Sequence, residues 1–323
     1  MSSKLTKLQE FFTRQTAEWS LAGDNFTALK NCIVKEFTVR GNIVKVQFNP
    51  GRIVSTAAKV DTKSISERKC FLCRENRPKE QHDFPFDAEY VVLINPFPIF
   101  PEHFTIPKTS HVNQNIGGEV AAMVDMTMEF GDAYSVFYNG PRCGASAPDH
   151  HHFQMGTAGF MPMEKEVSGL PVHANAVMRN GFSFDGIADG LRTYIRFTLT
   201  DAACRESFIA EVESFISFYE TFNGEGAEPM MNIVSFKEKS TGYIYLLILL
   251  RKKHRPDVYF ADEPERFVIS PASVDVGGKI ITPRREDFDR ISEDLIGSIF
   301  NEVFVSEVRM HEIFSAYTSR LKT

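Results

Sequence analysis

The sequence predicts an α+β fold built from two related halves, and three observations carry that reading. Short apolar runs rich in β-branched and aromatic residues, such as YVVLI, HFTIP and YIYLLILL, have the length of strands. Elsewhere apolar residues recur at helical spacing, at Leu5, Leu8, Phe12 and Trp19 and again at Val120, Met123, Val124, Phe130, Tyr134 and Phe137. The second half also echoes the first: IYLLILLRKKH ends at His254 much as EHFTIPKTSH ends at His111, and a helix-like segment, PRREDFDRISEDLIGSIFNEVF, follows later. The division expected from this echo is residues 1–165 and 166–323.

In chain order, an amphipathic helix opens the sequence. Strands follow around the turn signal RGN in IVKEFTVRGNIVKVQFNP. EYVVLINPFPIF reads as a buried strand running into a Pro-rich loop, and HFTIP as a second short strand. A helix of about 20 residues is expected from Val120 onward. YNGPRCGASAPD must be loop, because Gly, Pro and Ser punctuate it. His150 to Met155 alternates, so His150, His152 and Gln154 are expected on one strand face and His151 and Phe153 on the other.

Composition narrows the class. The 323-residue chain is 43% hydrophobic and 12% aromatic with 29 Phe, which suits a sizeable core. A net charge of −6 offers nucleic acid or an anionic membrane no attraction from the chain as a whole. The longest apolar run is strand-sized, and the N-terminal stretch lacks the pattern of a secretory signal. Five cysteines, an odd number in a large chain, argue against a disulfide framework. The expectation is a cytoplasmic, reduced protein with neither nucleic-acid nor membrane partners.

Three constellations carry chemistry. The first is His150-x-His152-x-Gln154. A neutral imidazole is a good nucleophile toward an activated phosphorus, and an amide two residues on can bond a phosphoryl oxygen as its charge rises. The preceding NGPRCGAS loop offers small residues, including Gly144, and backbone N–H groups that suit a phosphate held closely. The plainer reading is a surface histidine cluster or incidental metal binding. The second is Cys70-x-x-Cys73, a metal-knuckle spacing for which His111 and His150 are candidate completing ligands of a zinc ion. His150 would then hold metal and stiffen the strand that presents His152. The third is INPFPIFPEHFTIPKTSH, where Asn95 ends a strand at which a nucleoside would fit, or serves turn chemistry alone. His103 in this segment reads as structural.

NPFPIFPEHFTIPKTSH, the helix after it, and HHHFQ together resemble the histidine-triad superfamily. Gln154 stands where the hydrolases of that superfamily carry their last histidine. This resembles the branch of galactose-1-phosphate uridylyltransferases, diadenosine tetraphosphate phosphorylases and GDP-hexose phosphorylases. The resemblance implies two histidine-triad-like halves with antiparallel sheets flanked by helices, a catalytic half at 1–165 and a degenerate half at 166–323. It implies a nucleotidyltransferase or phosphorylase acting on a nucleoside diphosphate sugar or dinucleoside polyphosphate, with phosphate or a sugar phosphate as acceptor. The rivals are a nucleotide hydrolase and a zinc-stabilised nucleotide-binding protein without catalysis. His152 matches the covalent nucleophile. Cys70, Cys73, His111 and His150 resemble a structural zinc set. Asn139 and Ser146 match loop positions that contact phosphate. Arg52 and Lys59, in NPGRIVSTAAKV, lie in a segment that resembles a phosphate-contacting region less specifically and are otherwise solvated charges. SPASVDVGGKIITPRREDF resembles the C-terminal segment of diadenosine phosphorylases. One departure is Asp149, an extra residue between Pro148 and His150.

Overall fold

The computed structural model describes residues 3–53, 64–65, 67–224 and 227–321; Lys59 lies outside them. Thirteen strands are described: β1 Ile33–Val39, β2 Asn42–Phe48, β3 Phe84–Pro85, β4 Val91–Ile94, β5 His103–Pro107, β6 Tyr134–Asn139, β7 His152–Thr157, β8 Val177–Arg179, β9 Phe182–Ala188, β10 Thr193–Leu199, β11 Met231–Lys237, β12 Ile244–Leu250 and β13 Lys279–Thr282. Ten form one antiparallel sheet in the order β3-β4-β5-β7-β6-β11-β12-β10-β9-β8. The fold is α+β, with large antiparallel sheets flanked by helices.

That order is symmetric about its middle. Read outward from the seam, 6-7-5-4-3 on one side matches 11-12-10-9-8 on the other. Helix Val120–Phe130 links β5 to β6, and helix Arg205–Asn223 links β10 to β11. The seam is the antiparallel pair β6 and β11, in which Phe137 faces Val234. The repeat therefore has a different register from the one its sequence suggests. The IYLLILL strand, β12, corresponds to β7 and not to β5. Likewise the counterpart of the Val120 helix is Arg205–Asn223 rather than the 285–303 segment.

The helix expected to run through Phe137 stops at Phe130. Gly131 caps it, and the aromatic and β-branched run YSVFYN then continues as β6. Its periodicity misled because Tyr134 and Phe137 are buried by a strand instead. At RGN, Arg40 (φ 52°) and Gly41 (φ 85°) both occupy the left-handed region, as a two-residue hairpin turn with the twist of its strands requires.

The two sheet faces bury different partners. One face packs Phe153, Met155, Tyr138 and Ile233 against helices Ser3–Glu18, Val120–Phe130, Arg205–Asn223 and Glu307–Arg320. The other packs Phe137, Val234, Leu247 and Leu249 against helix Glu293–Val303 and a small sheet of β1, β2 and β13. No helix among the described residues is long and apolar enough to cross a membrane.

Candidate active site

The three histidines separate as alternation demands, although the strand proper begins only at His152. His151 enters the helical side, with its ring among Tyr90, Tyr138 and Phe153. A polar neighbour there is the Asn115 backbone, which its ring meets in less than ideal hydrogen-bond geometry. Burial, with His152 beside it, pushes its pKa down to about 3, so it is an uncharged packing group. His150 and His152 point to the other side.

His152 is nearly fully buried, and its tautomer follows from its surroundings. Nδ1 lies 2.8 Å from the His150 carbonyl, which only accepts, so Nδ1 carries the proton. The lone pair is then on Nε2, for which the described residues provide no hydrogen-bond partner. Gln114, which the sequence did not single out, fixes this end of β7. Its Oε1 accepts from the His152 N–H at 2.8 Å, and its Nε2 donates to the carbonyls of Asn139 (2.9 Å) and His152 (3.0 Å).

Two residues on, Gln154 is oriented by His103. The Ile99 N–H donates to His103 Nδ1 at 3.2 Å, so the His103 proton is on Nε2, which donates to Gln154 Oε1 at 3.0 Å. Burial, with the Arg52 charge nearby, lowers the His103 pKa to about 3 and keeps this tautomer neutral. With Oε1 engaged, the Gln154 NH₂ is the group left to face the adjoining cavity. His103, read from sequence as structural, is thus a positioning residue. Its only sequence signal was its place on a strand adjacent to β7.

That cavity, about 70 Å³, is lined by Arg52, Asn139, Gly144, Ser146, Gln154 and Asp275, among others. Five of these six were candidates from sequence, drawn from three separate stretches. The volume suits a phosphoryl group better than a whole nucleotide. Asn139 ends β6, and its Oδ1 accepts from the Ser273 N–H (2.8 Å), the Ser273 hydroxyl (2.7 Å) and Asn232 Nδ2 (3.0 Å). A saturated oxygen leaves its amide nitrogen as the group available to a ligand. Gly144 has φ +95°, and a Cβ there would meet the Ala272 Cβ at 2.6 Å, so both backbone and space require glycine. Arg52 donates to the Phe97 carbonyl at 2.7 Å, and burial lowers its pKa to about 10. Asp275 accepts from the N–H groups of Ala272 and Ile281, each at 3.0 Å, and burial raises its pKa to about 6. Asn95 does not line the cavity: its Oδ1 accepts from the Phe97 N–H at 3.0 Å and its amide meets Thr105, which is turn chemistry.

The four candidate metal ligands come together. One ligand atom from each of Cys70, Cys73, His111 and His150 lies within 4.8 Å of the others. Cys70 Sγ is 3.3 Å from His150 Nδ1, and Cys73 Sγ is 3.1 Å from His111 Nδ1. Zinc–sulfur and zinc–nitrogen bonds of about 2.3 and 2.0 Å in a tetrahedron place S and N roughly 3.5 Å apart, so the cradle fits a zinc ion within small adjustments. His150 Nε2 donates to the Lys108 carbonyl at 2.8 Å, leaving Nδ1 deprotonated toward the thiols. The extra residue Asp149 is anchored by Arg68 at 2.6 Å.

Among the described residues the second half has no counterpart of the His152 and Gln154 pair. Gln154 pairs with Phe137 and Leu247 pairs with Val234, and Phe137 and Val234 face each other across the seam. The symmetric positions of His152 and Gln154 are therefore Tyr245 and Leu247.

The profile of a family described as a domain of unknown function (DUF4922) matches residues 11–157. Comparison with curated protein sequences finds no match. Among solved structures, yeast Ap4A phosphorylase Apa2 in complex with AMP is similar at TM-score 0.56 and 18% identity, over 88% of this chain and 95% of that one. The same protein in complex with Ap4A gives TM-score 0.56 and 17% identity over 88% and 96%. These likenesses support the fold.

Proposed function

We propose that this protein is a nucleotidyltransferase or phosphorylase that forms a covalent nucleotidyl-His152 intermediate from a dinucleoside polyphosphate or a nucleoside diphosphate sugar. One observation carries the reading: a buried histidine with its Nδ1 proton tied to a carbonyl and its Nε2 lone pair unengaged, on the same strand face as an amide turned toward a phosphate-sized cavity. The fold shared with a protein solved with AMP and Ap4A supports the choice of substrate class.

In the first step the Nε2 lone pair attacks the α-phosphorus. The N–P bond forms as the P–O bond to the leaving phosphate breaks, and the leaving group takes that electron pair. The imidazole becomes positive and its Nδ1–H bond to the His150 carbonyl strengthens. The amides of Gln154 and Asn139 and the Arg52 guanidinium face the phosphoryl oxygens. Phosphate or a sugar phosphate then attacks the same phosphorus and releases neutral His152. Gln154 cannot donate a proton as an imidazolium does, which suits phosphate leaving groups that need little acid help. Cys70, Cys73, His111 and His150 would hold zinc, which when bound supplies a rigid anchor for the backbone beside the nucleophile. Residues 1–165 serve as the catalytic half and 166–323 as the degenerate half. Asn232 and Ser273 of the latter support this reading by holding Asn139.

The test is intact-mass spectrometry after incubation with Ap4A and a panel of nucleoside diphosphate sugars. One nucleotidyl mass should appear with a substrate and disappear on adding phosphate or a sugar phosphate. Decay at the same rate in buffer alone would favour hydrolysis. Saturable nucleotide binding without added mass would favour a non-catalytic binding protein.

The His103 to Gln154 bond gives a coupled prediction. Gln154→Ala should lower kcat by roughly 10²–10³, the loss of one preorganised donor. His103→Phe keeps the ring but frees the amide to turn, and should lower kcat about tenfold, the worth of one hydrogen bond. The double variant should be no slower than Gln154→Ala alone. Additive losses would show that His103 acts other than through Gln154.

A further inference from the structure

A second cavity, about 570 Å³, lies between the two N-terminal helices, Ser3–Glu18 and Ser20–Leu29, and the small sheet. Its walls are largely apolar, with Phe12, Phe26, Leu29, Ile99 and Phe160. Two polar donors line it, Lys279 and Gln47. Lys279, 5% exposed, makes no hydrogen bond or ion pair among the described residues; its ammonium sits 4.8 Å from the centre of the Phe160 ring. Gln47, 3% exposed, has an Nε2 with no oxygen partner and only the Cys32 thiol beside it.

Both groups are donors, and a partly desolvated ammonium at the wall of a largely apolar cavity favours an anion beside it. The neighbouring charges do not supply one. Lys45, the register partner of Lys279, repels it and is itself engaged by Glu36 at 3.6 Å. The Cys32 thiol beside Gln47 is kept protonated by burial. Asp24 lines the cavity but forms no ion pair with Lys279. Burial and Lys45 together lower the Lys279 pKa to about 8, the mark of a cation lacking its counter-ion.

We infer that this cavity is a binding site for a small organic anion, whose phosphate or carboxylate is held by Lys279 and Gln47 and whose aromatic or aliphatic body packs against the Phe12, Phe26 and Phe160 side. The volume admits such a body, and the apolar walls reward it. Ile99 lines both this cavity and the one beside Gln154, so the two are neighbours, yet the inference does not depend on any reaction at His152.

Calorimetric titration of the full chain with phenyl phosphate, benzoate and inorganic phosphate tests it. Phenyl phosphate or benzoate should bind saturably, one per chain beyond any binding at the cavity beside Gln154, and more tightly than inorganic phosphate. Lys279→Met should weaken that binding at least tenfold, and Gln47→Leu several-fold. His152→Asn and Gln154→Ala should leave it unchanged. Lys279→Met should also melt no lower than the parent, because Lys279 makes no hydrogen bond or ion pair among the described residues; a lower Tm would mark Lys279 as structural and overturn the inference. Equal binding by Lys279→Met, no saturable binding by the parent, or loss of the binding in Gln154→Ala would each overturn it as well.

Discussion

His152→Asn is expected to bind nucleotide, acquire no nucleotidyl mass and lose turnover by at least about 10⁴-fold, as removal of a covalent nucleophile does. Asparagine keeps polarity at a nearly closed position, so the fold should survive, and circular dichroism with an unchanged melting curve would establish that. The control is His151→Phe. His151 is as buried as His152 and one residue away, but it faces Tyr90, Tyr138 and Phe153. A phenyl ring there keeps the aromatic packing and gives up at most a poorly aligned contact with the Asn115 backbone, so stability should change by no more than about 1 kcal/mol and activity should persist. Comparable inactivity in the two variants would contradict the division of the histidines between the two faces.

Loss of the metal should be the second largest effect. The purified protein is expected to carry about one zinc per chain, and Cys70→Ala to carry almost none. With one ligand removed, the remaining thiol and imidazoles lose a shared partner, and Cys70, the loop ending at His111 and the segment before β7 are no longer tied together. Tm should fall by about 10 °C, the shift from a loss on the order of 5 kcal/mol in a chain of this size. Activity should fall with it, since the His150 carbonyl holds the His152 proton. Elemental analysis finding a metal-free parent that is as stable as a zinc-loaded sample would rule this out.

The site was more legible in the sequence than the fold around it. His152, Gln154 and the four Cys and His ligands stand out because their residue types are chemically rare and their spacing is local. Period-two alternation alone separated His151 from His150 and His152. Asn139 and Ser146 were picked out only by the resemblance of their segment to a phosphate loop, and Gly144 by the small residues of that loop; the structure brings all three to one cavity. Gln114, His103, Asn232 and Ser273 were not legible, since each acts through a hydrogen bond to a partner distant in sequence or on another strand. Asn95, the candidate nucleoside contact, bonds Phe97 and Thr105 and lies outside the lining of the phosphate-sized cavity. The repeat was sensed but misregistered. β12, buried along its whole length, has no alternation by which to align it with β7. Residues 170–228, which offered no usable pattern, hold three strands and the long helix of the second half.

The seam between β6 and β11 bears on why a half without a nucleophile is kept. Each of these strands is the inner border of its own five-stranded arm, and each covers the other's backbone. Were the first arm to exist alone, β6 would present a bare row of amide and carbonyl groups directly beside the histidine-bearing strand. Such a border recruits whatever strand it meets, including a copy of itself. A tethered companion removes that hazard without waiting for a collision between molecules. The second arm thus acts as a permanently attached cover for an edge the first would otherwise expose.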